Sequence, residues 1–132
     1  GVAAALRFPD RQVFSIVGDG GALMTGSELA TAVAQNAKIR VIVANNNHYG
    51  TIRYHQEVHF PTRDHYATNL INPDFAKYGE SFGLKCFIIN KVEEVIPILK
   101  RAMEADGPSL IEFKMSLELN TSTTSISELH GI

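Results

Sequence analysis

The segment Gln12–Gly50, QVFSIVGDGGALMTGSELATAVAQNAKIRVIVANNNHYG, decides the fold. It holds two short apolar runs rich in β-branched residues, Gln12–Val17 and Ile39–Ala44. Each stops at a polar cluster, Gly18-Asp19-Gly20-Gly21 after the first and Asn45-Asn46-Asn47 after the second. Runs that are apolar at nearly every position, rather than at every other one, read as strands covered on both faces, as in a parallel sheet under helices. Between them Ser27–Asn36 is built from good helix formers, and Thr25 with Glu28 three residues on has the spacing of a capping box. The segment therefore reads as strand, helix, strand.

The rest of the chain repeats the pattern. Leu84–Ile89 and Ser109–Lys114 are two further strand candidates. Pro73–Phe82 reads as a helix with Asn72 as N-cap, Pro73 at the first helical position and Gly83 at the C-terminal cap. Val92–Ala105 places Val92, Val95, Ile96, Leu99 and Met103 on one stripe, and Pro97 either kinks this helix or sits in its first turn. Alternation of strands and helices predicts an α/β fold, a doubly wound parallel sheet with helices on both faces. Gly1–Phe8 reads as the second half of a helix truncated at the N-terminus, so the chain is expected to be a piece of a longer one. One domain is expected over residues 1–117, followed by a polar tail, 118–132, whose Ser/Thr-rich part Asn120–Ser127 reads as loose.

The chain has 132 residues, of which 45% are hydrophobic and 20% charged, enough apolar surface for one packed core. A formal charge of −2 provides no basic field for nucleic acid or an anionic membrane surface. No apolar run approaches the roughly 18 residues that cross a bilayer, and no charged-then-apolar leader opens the chain. The single cysteine, Cys86, has no internal partner and reads as a buried hydrophobe, which fits a reducing, cytoplasmic setting.

The polar clusters carry the chemistry. Ligands in doubly wound sheets sit beyond the carboxyl ends of the strands, and here two strands end in loops rich in glycine and asparagine. Asp19 and Asn46 lie 27 positions apart, which suits a single strand–helix–strand crossover. A carboxylate and a carboxamide oxygen, with backbone carbonyls and phosphate oxygens, form a hard-oxygen set suited to Mg²⁺. Gly18, Gly20 and Gly21 allow a phosphate close to the backbone, and a helix beginning near Thr25 aims its free N–H groups at the same space. Read alone, Asp19 also fits a helix cap and Asn46 a turn. His48, His55, His59 and His65 have no regular spacing and read as surface-loop histidines. Arg53 fits either a substrate carboxylate or a structural ion pair.

Gly18-Asp19-Gly20 followed by Asn45-Asn46 resembles the signature of the thiamine-diphosphate-dependent enzymes. RFPDRQVFSIVGDGGALMTGSELATAVAQNAKIRVIVANNNHYGTIRYHQE, NPDFAKYGESFG and GPSLIEFK are similar to the C-terminal, diphosphate-binding domain of acetolactate-synthase-like members. The resemblance implies that thiamine diphosphate and Mg²⁺ are the cofactors, with Asp19 and Asn46 binding the metal through side chains and His48 through its backbone carbonyl. It further implies that Gly18, Gly20, Gly21 and Ala22 approach the diphosphate, that Tyr49 and Gly50 form the turn beneath the cofactor, and that Met24 faces its ring. A tryptophan found after this turn in biosynthetic acetolactate synthases is absent, and His55 stands there. The implied activity is thus a broader carboligase or decarboxylase acting on a 2-oxo acid. Its activating glutamate would come from a pyrimidine-binding domain of the same or a partner subunit in a homo-oligomer, and no catalytic acid or base is assigned within this chain. A non-catalytic α/β module for Mg²⁺-phosphate binding or subunit association is the alternative.

Overall fold

The computed structural model describes residues 1–118 and 125–130. Four strands form one sheet: β1 (Val13–Gly18), β2 (Ile39–Asn45), β3 (Lys85–Ile89) and β4 (Ser109–Lys114). Their spatial order is β1–β2–β4–β3 and every neighbouring pair is parallel. The helices are α1 (Val2–Arg7), α2 (Asp19–Thr25), α3 (Leu29–Ala34), α4 (Gly50–His59), α5 (Phe75–Ser81), α6 (Val95–Glu104) and α7 (Ile126–His130). Among the described residues, no helix is long and apolar enough to cross a membrane.

Strand parity divides the core. Ile39, Val41 and Val43 of β2 point to one face, where α1 and α3 contribute Ala5 and Ala32, and Phe75 of α5 packs with Leu84 and Leu110. The small residues let these short helices lie close to the sheet. On the other face α6 packs Val95, Ile98 and Ala102 against Ile42, Phe87, Ile89 and Ile111. Helices thus cover both faces, as expected for near-continuous apolar strands. The cover is incomplete at the β1 edge, where Phe14 and Ile16 remain exposed.

Arg40, 1% exposed, is the one cation inside the sheet among the buried residues. Its guanidinium donates to the carbonyls of Met103, Ala105 and Gly107 at the end of α6. There the helix dipole is negative and carbonyls lack helical partners. Burial pulls its pKa below the ordinary arginine value.

The helix ends show where local signals held. After α5, Gly83 adopts φ +94; its N–H reaches the Glu80 carbonyl and that of Leu84 reaches Gly79, a Schellman closure that glycine makes inexpensive. Pro97 sits in the first turn of α6, where its missing N–H removes no helical bond. Other signals gave way. Thr25 makes no cap hydrogen bond; the chain is already helical from Asp19, Gly26–Glu28 form a 3₁₀ turn, and Glu28 accepts from Thr31 Oγ1 at 3.1 Å instead. Helix α3 is accordingly shorter than Ser27–Asn36. Asn72 is not the N-cap of α5: Asp74 is, accepting from the Lys77 amide at 3.0 Å. Helix α4 had no apolar stripe to announce it, because its buried residue is Glu57 while Ile52 and Val58 are exposed. Of the polar tail, residues 119–124 and 131–132 lie outside the described residues, while Ile126–His130 is helical, with Glu118 accepting from the Ile126 and Ser127 amides.

Candidate functional site

The ladder register pairs Gly18 with Ala44, so the tips of β1 and β2 end side by side and the next residues, Asp19 and Asn45, enter one space. Asp19 opens α2, with Gly18 as N-cap and no side-chain cap. The start of that helix therefore faces the tip directly, closer than a helix starting at Thr25 would.

Asp19 is 2% exposed, and no lysine or arginine lies within ion-pair reach of it among the described residues. Its Oδ1 accepts from the Gly20 amide at 2.9 Å and its Oδ2 from Asn72 Nδ2 at 2.7 Å. A buried carboxylate held only by neutral donors lacks a counter-charge. Oxygen atoms crowd around it. Asn45 Oδ1 accepts from Asn72 Nδ2 at 2.9 Å and from the Asn47 amide at 3.1 Å. On its other side Asn45 donates to Glu112 Oε1 at 2.6 Å, and Lys114 donates to that same oxygen at 2.6 Å. Asn46 is half-buried and its Oδ1 takes the His48 amide at 3.0 Å, an Asx turn that fixes the loop. Asn47 has φ +58, a left-handed conformation that asparagine tolerates well.

The glycines have separate roles. A Cβ on Gly20 would run into the Tyr49 ring and come within 3.3 Å of Leu70 Cδ1, and one on Gly21 would lie 2.9 Å from Val17 Cγ2. Both positions need glycine for packing, whether or not a phosphate approaches. Gly18 is different: a Cβ there meets nothing within 4 Å. Its backbone faces open space beside the helix start.

Beyond the loop, His48 bridges to α4. Its Nε2 contacts Arg53 Nη1 at 2.8 Å, and because arginine only donates, Nε2 is the acceptor and Nδ1 carries the proton toward the Asn46 carbonyl at 3.1 Å. Arg53 pairs with buried Glu57 at 3.2 Å, so the structural ion pair is the role the geometry gives it. His65 also faces Glu57, at 3.7 Å. His55 and His59 are not loop residues; they stack 5.8 Å apart on α4. Met24, 72% exposed, belongs to the last turn of α2 rather than the first turn of a following helix.

Sequence reading singled out Asp19, Gly20, the Asn46–His48 loop and Tyr49; the fold packs Gly20 under Tyr49 and links Asp19 through Asn72 to Asn45 and Asn47, on either side of Asn46. It missed Asn72, Asn45 as an interior residue and Glu112. A glutamate inside the apolar strand SLIEFK was the available signal for the last, since a buried charge requires partners. Asn72 gave no such signal, because it lies 53 residues from Asp19.

The donor set fits a divalent cation. One buried carboxylate without a counter-charge, carboxamide oxygens and backbone carbonyls are the ligands of a hard, oxygen-seeking ion. The start of α2 carries backbone N–H groups that lack helical partners, of which that of Gly20 is given to Asp19 Oδ1.

Comparison with known proteins identifies the family. Residues 1–113 match the family described as thiamine pyrophosphate enzyme, C-terminal TPP binding domain. The chain is 41% identical over 118 residues to 3D-(3,5/4)-trihydroxycyclohexane-1,2-dione hydrolase of Bacillus subtilis, covering 83% of this chain and 18% of that protein. It is 35% identical over 111 residues to the acetolactate synthase large subunit of Corynebacterium glutamicum, covering 80% of this chain and 18% of that one. Among solved structures, the thiamine diphosphate-dependent 4-hydroxybenzoylformate decarboxylase of Rhodococcus jostii RHA1 superposes with a TM-score of 0.80 at 30% identity, covering 87% of this chain and 22% of that one. The chain spans about a fifth of the length of the curated relatives it matches.

Proposed function

We infer the function from one premise: this chain belongs to the thiamine pyrophosphate enzymes, as their C-terminal TPP-binding domain. In our reading the tips of β1 and β2 hold Mg²⁺ through the side chains of Asp19 and Asn46 and the backbone carbonyl of His48. The backbone of Gly18, Gly20, Gly21 and Ala22 and the turn of Tyr49 and Gly50 would hold the diphosphate, and Met24 would face the ring. The observation that carries this reading is the buried Asp19 carboxylate, which has no cationic partner among the described residues and sits at a strand tip rich in carboxamide oxygens.

Thiamine diphosphate supplies a carbon nucleophile that adds to a carbonyl and accepts the electron pair released when a neighbouring bond breaks. The residues of this chain bind and orient. The asparagine-rich loop and Asp19 would set the position of the metal and so help to hold the diphosphate. Gly20, pinned under Tyr49, keeps the start of α2 against the loop. We assign the whole enzyme to carboligase or decarboxylase chemistry of the acetolactate-synthase-like kind on a 2-oxo acid. The activating glutamate comes from a pyrimidine-binding domain of the same or a partner subunit in a homo-oligomer. A single thiol without a partner, Cys86, suits the reducing cytoplasm.

The test is a titration of the complete protein with thiamine diphosphate, with and without Mg²⁺, for the natural sequence and for Asp19→Ala. Binding should require the metal and be lost in the variant. Equal binding without metal, or an unaffected variant, overturns the assignment.

A further inference from the structure

The two strand tips are joined by a side chain that belongs to neither. We propose that Asn72 is a positioning residue for the divalent-cation site, its amide fixing the gap between the Asp19 carboxylate and the loop that carries Asn46 and His48. This rests on the metal reading given above. Asn72 Nδ2 lies 2.7 Å from Asp19 Oδ2, 2.9 Å from Asn45 Oδ1 and 3.1 Å from Asn47 Oδ1. Two of those partners flank Asn46 in the chain and the third is the proposed carboxylate ligand. One NH₂ group therefore spans both halves of the site.

The orientation of the amide is forced by chemistry. Three acceptors surround Nδ2, so the reversed amide would set Oδ1 against three oxygens. In the orientation adopted, Oδ1 is buried and has no hydrogen-bond partner, an arrangement tolerated because Nδ2 is committed. The side chain is also held from behind. Pro73 keeps Asn72 out of the helical region, Asp74 caps α5 through the Lys77 amide, and Phe75, 0% exposed, anchors that helix in the core. With Oδ2 engaged by Asn72, Asp19 cannot swing away, and its Oδ1 keeps a lone pair beside the Gly20 N–H. Outer partners of this kind orient ligating carboxylates, and their loss typically weakens metal affinity about 10–100-fold.

The experiment is a Mn²⁺ titration of the complete protein at saturating thiamine diphosphate, with free Mn²⁺ read by electron paramagnetic resonance. Asn72→Ala, and Asn72→Leu as the variant of similar bulk without an N–H, are compared with the natural sequence and with Asp19→Ala. Both Asn72 variants should bind Mn²⁺ about 10–100-fold more weakly and regain full cofactor occupancy in excess metal, which a merely structural lesion would not permit. If Asn72→Ala fails to fold, Asn72→Leu decides. Natural Mn²⁺ affinity in a folded Asn72 variant, while Asp19→Ala loses binding, overturns the role of Asn72 and leaves the metal reading intact. Absence of Mn²⁺ binding by the natural protein overturns the metal reading, and this proposal with it.

Discussion

Two glycines of one motif should respond to the same substitution very differently. Gly18 has φ −70 and ψ 159, angles open to any residue, and an added Cβ meets nothing within 4 Å. Alanine there restricts the unfolded chain by about 0.4–1 kcal/mol, but Gly18 is the N-cap of α2 and alanine caps less well by a similar amount, so Gly18→Ala should leave local stability nearly unchanged. At Gly20 the same methyl enters the Tyr49 ring and approaches Leu70 Cδ1 at 3.3 Å. Tyr49 cannot retreat easily, since its amide is bonded to the Thr68 carbonyl at 2.8 Å and it starts α4. Overpacking of this kind costs about 1–3 kcal/mol. The two variants should therefore differ by about 1–3 kcal/mol, nearly all of it from Gly20. Hydrogen exchange of the amides in β1 and α2 reads that local difference without requiring the whole protein to unfold in one step. Thiamine diphosphate affinity gives the complementary reading: the Gly18→Ala methyl fills the open space beside the helix start and should weaken binding while protection is kept. Equal losses of protection in the two variants, or a greater loss at Gly18, would refute the reasoning.

Removing the buried guanidinium in Arg40→Met leaves the carbonyls of Met103, Ala105 and Gly107 without their donor and should cost about 3 kcal/mol, seen as a lower urea midpoint. Arg40→Lys should recover only part of this, because a single ammonium cannot reach three carbonyls in the guanidinium's geometry. Ala67 holds φ +56, which costs an L-residue about 1–2 kcal/mol, so Ala67→Gly should raise the unfolding temperature slightly even after glycine's own entropy cost of about 0.5–1 kcal/mol. Burial, helped by the charge of Glu80, pushes the Cys86 thiol from 9.0 up to about 11. At pH 8 its thiolate fraction, and hence its alkylation rate, should be about 100-fold below that of an ordinary cysteine. The folded state holds the proton more tightly, so its contribution to stability is complete below pH 9 and declines as pH rises toward 11.

The sheet was legible because its strands are apolar on both faces: Ser109–Lys114 is matched at both ends, and the other three strands shift by a residue or so. Those short runs need only local pattern. Asp19 and the Asn46 loop were legible for a related reason, since residues just beyond strand ends have their place set by the strands. The capping box at Thr25 failed because Gly18 and Asp19 had already begun a helix, and local spacing cannot show which of two starts prevails. Asn72 illustrates the limit most clearly. Local pattern makes Asn72 the N-cap and Pro73 the first helical residue, whereas Asp74 caps α5, Pro73 lies outside it, and the Asn72 amide serves oxygens 53, 27 and 25 residues away. Helix α4 and its His48–Arg53–Glu57 chain were hidden for another reason, because a helix that buries a glutamate instead of an apolar stripe carries no periodic signal.

The Gly18–Ala44 register has a consequence for how such a chain can change over time. The two tips are brought together by the backbone ladder and not by the length of the crossover between them. Residues inserted or deleted in the turns around Gly26–Glu28 or after Asn36 can be absorbed at the surface. A single residue added inside β2 reverses the facing of every position beyond it and turns Asn45 away from Glu112. Spacing between the motifs is free to drift, while strand parity is not.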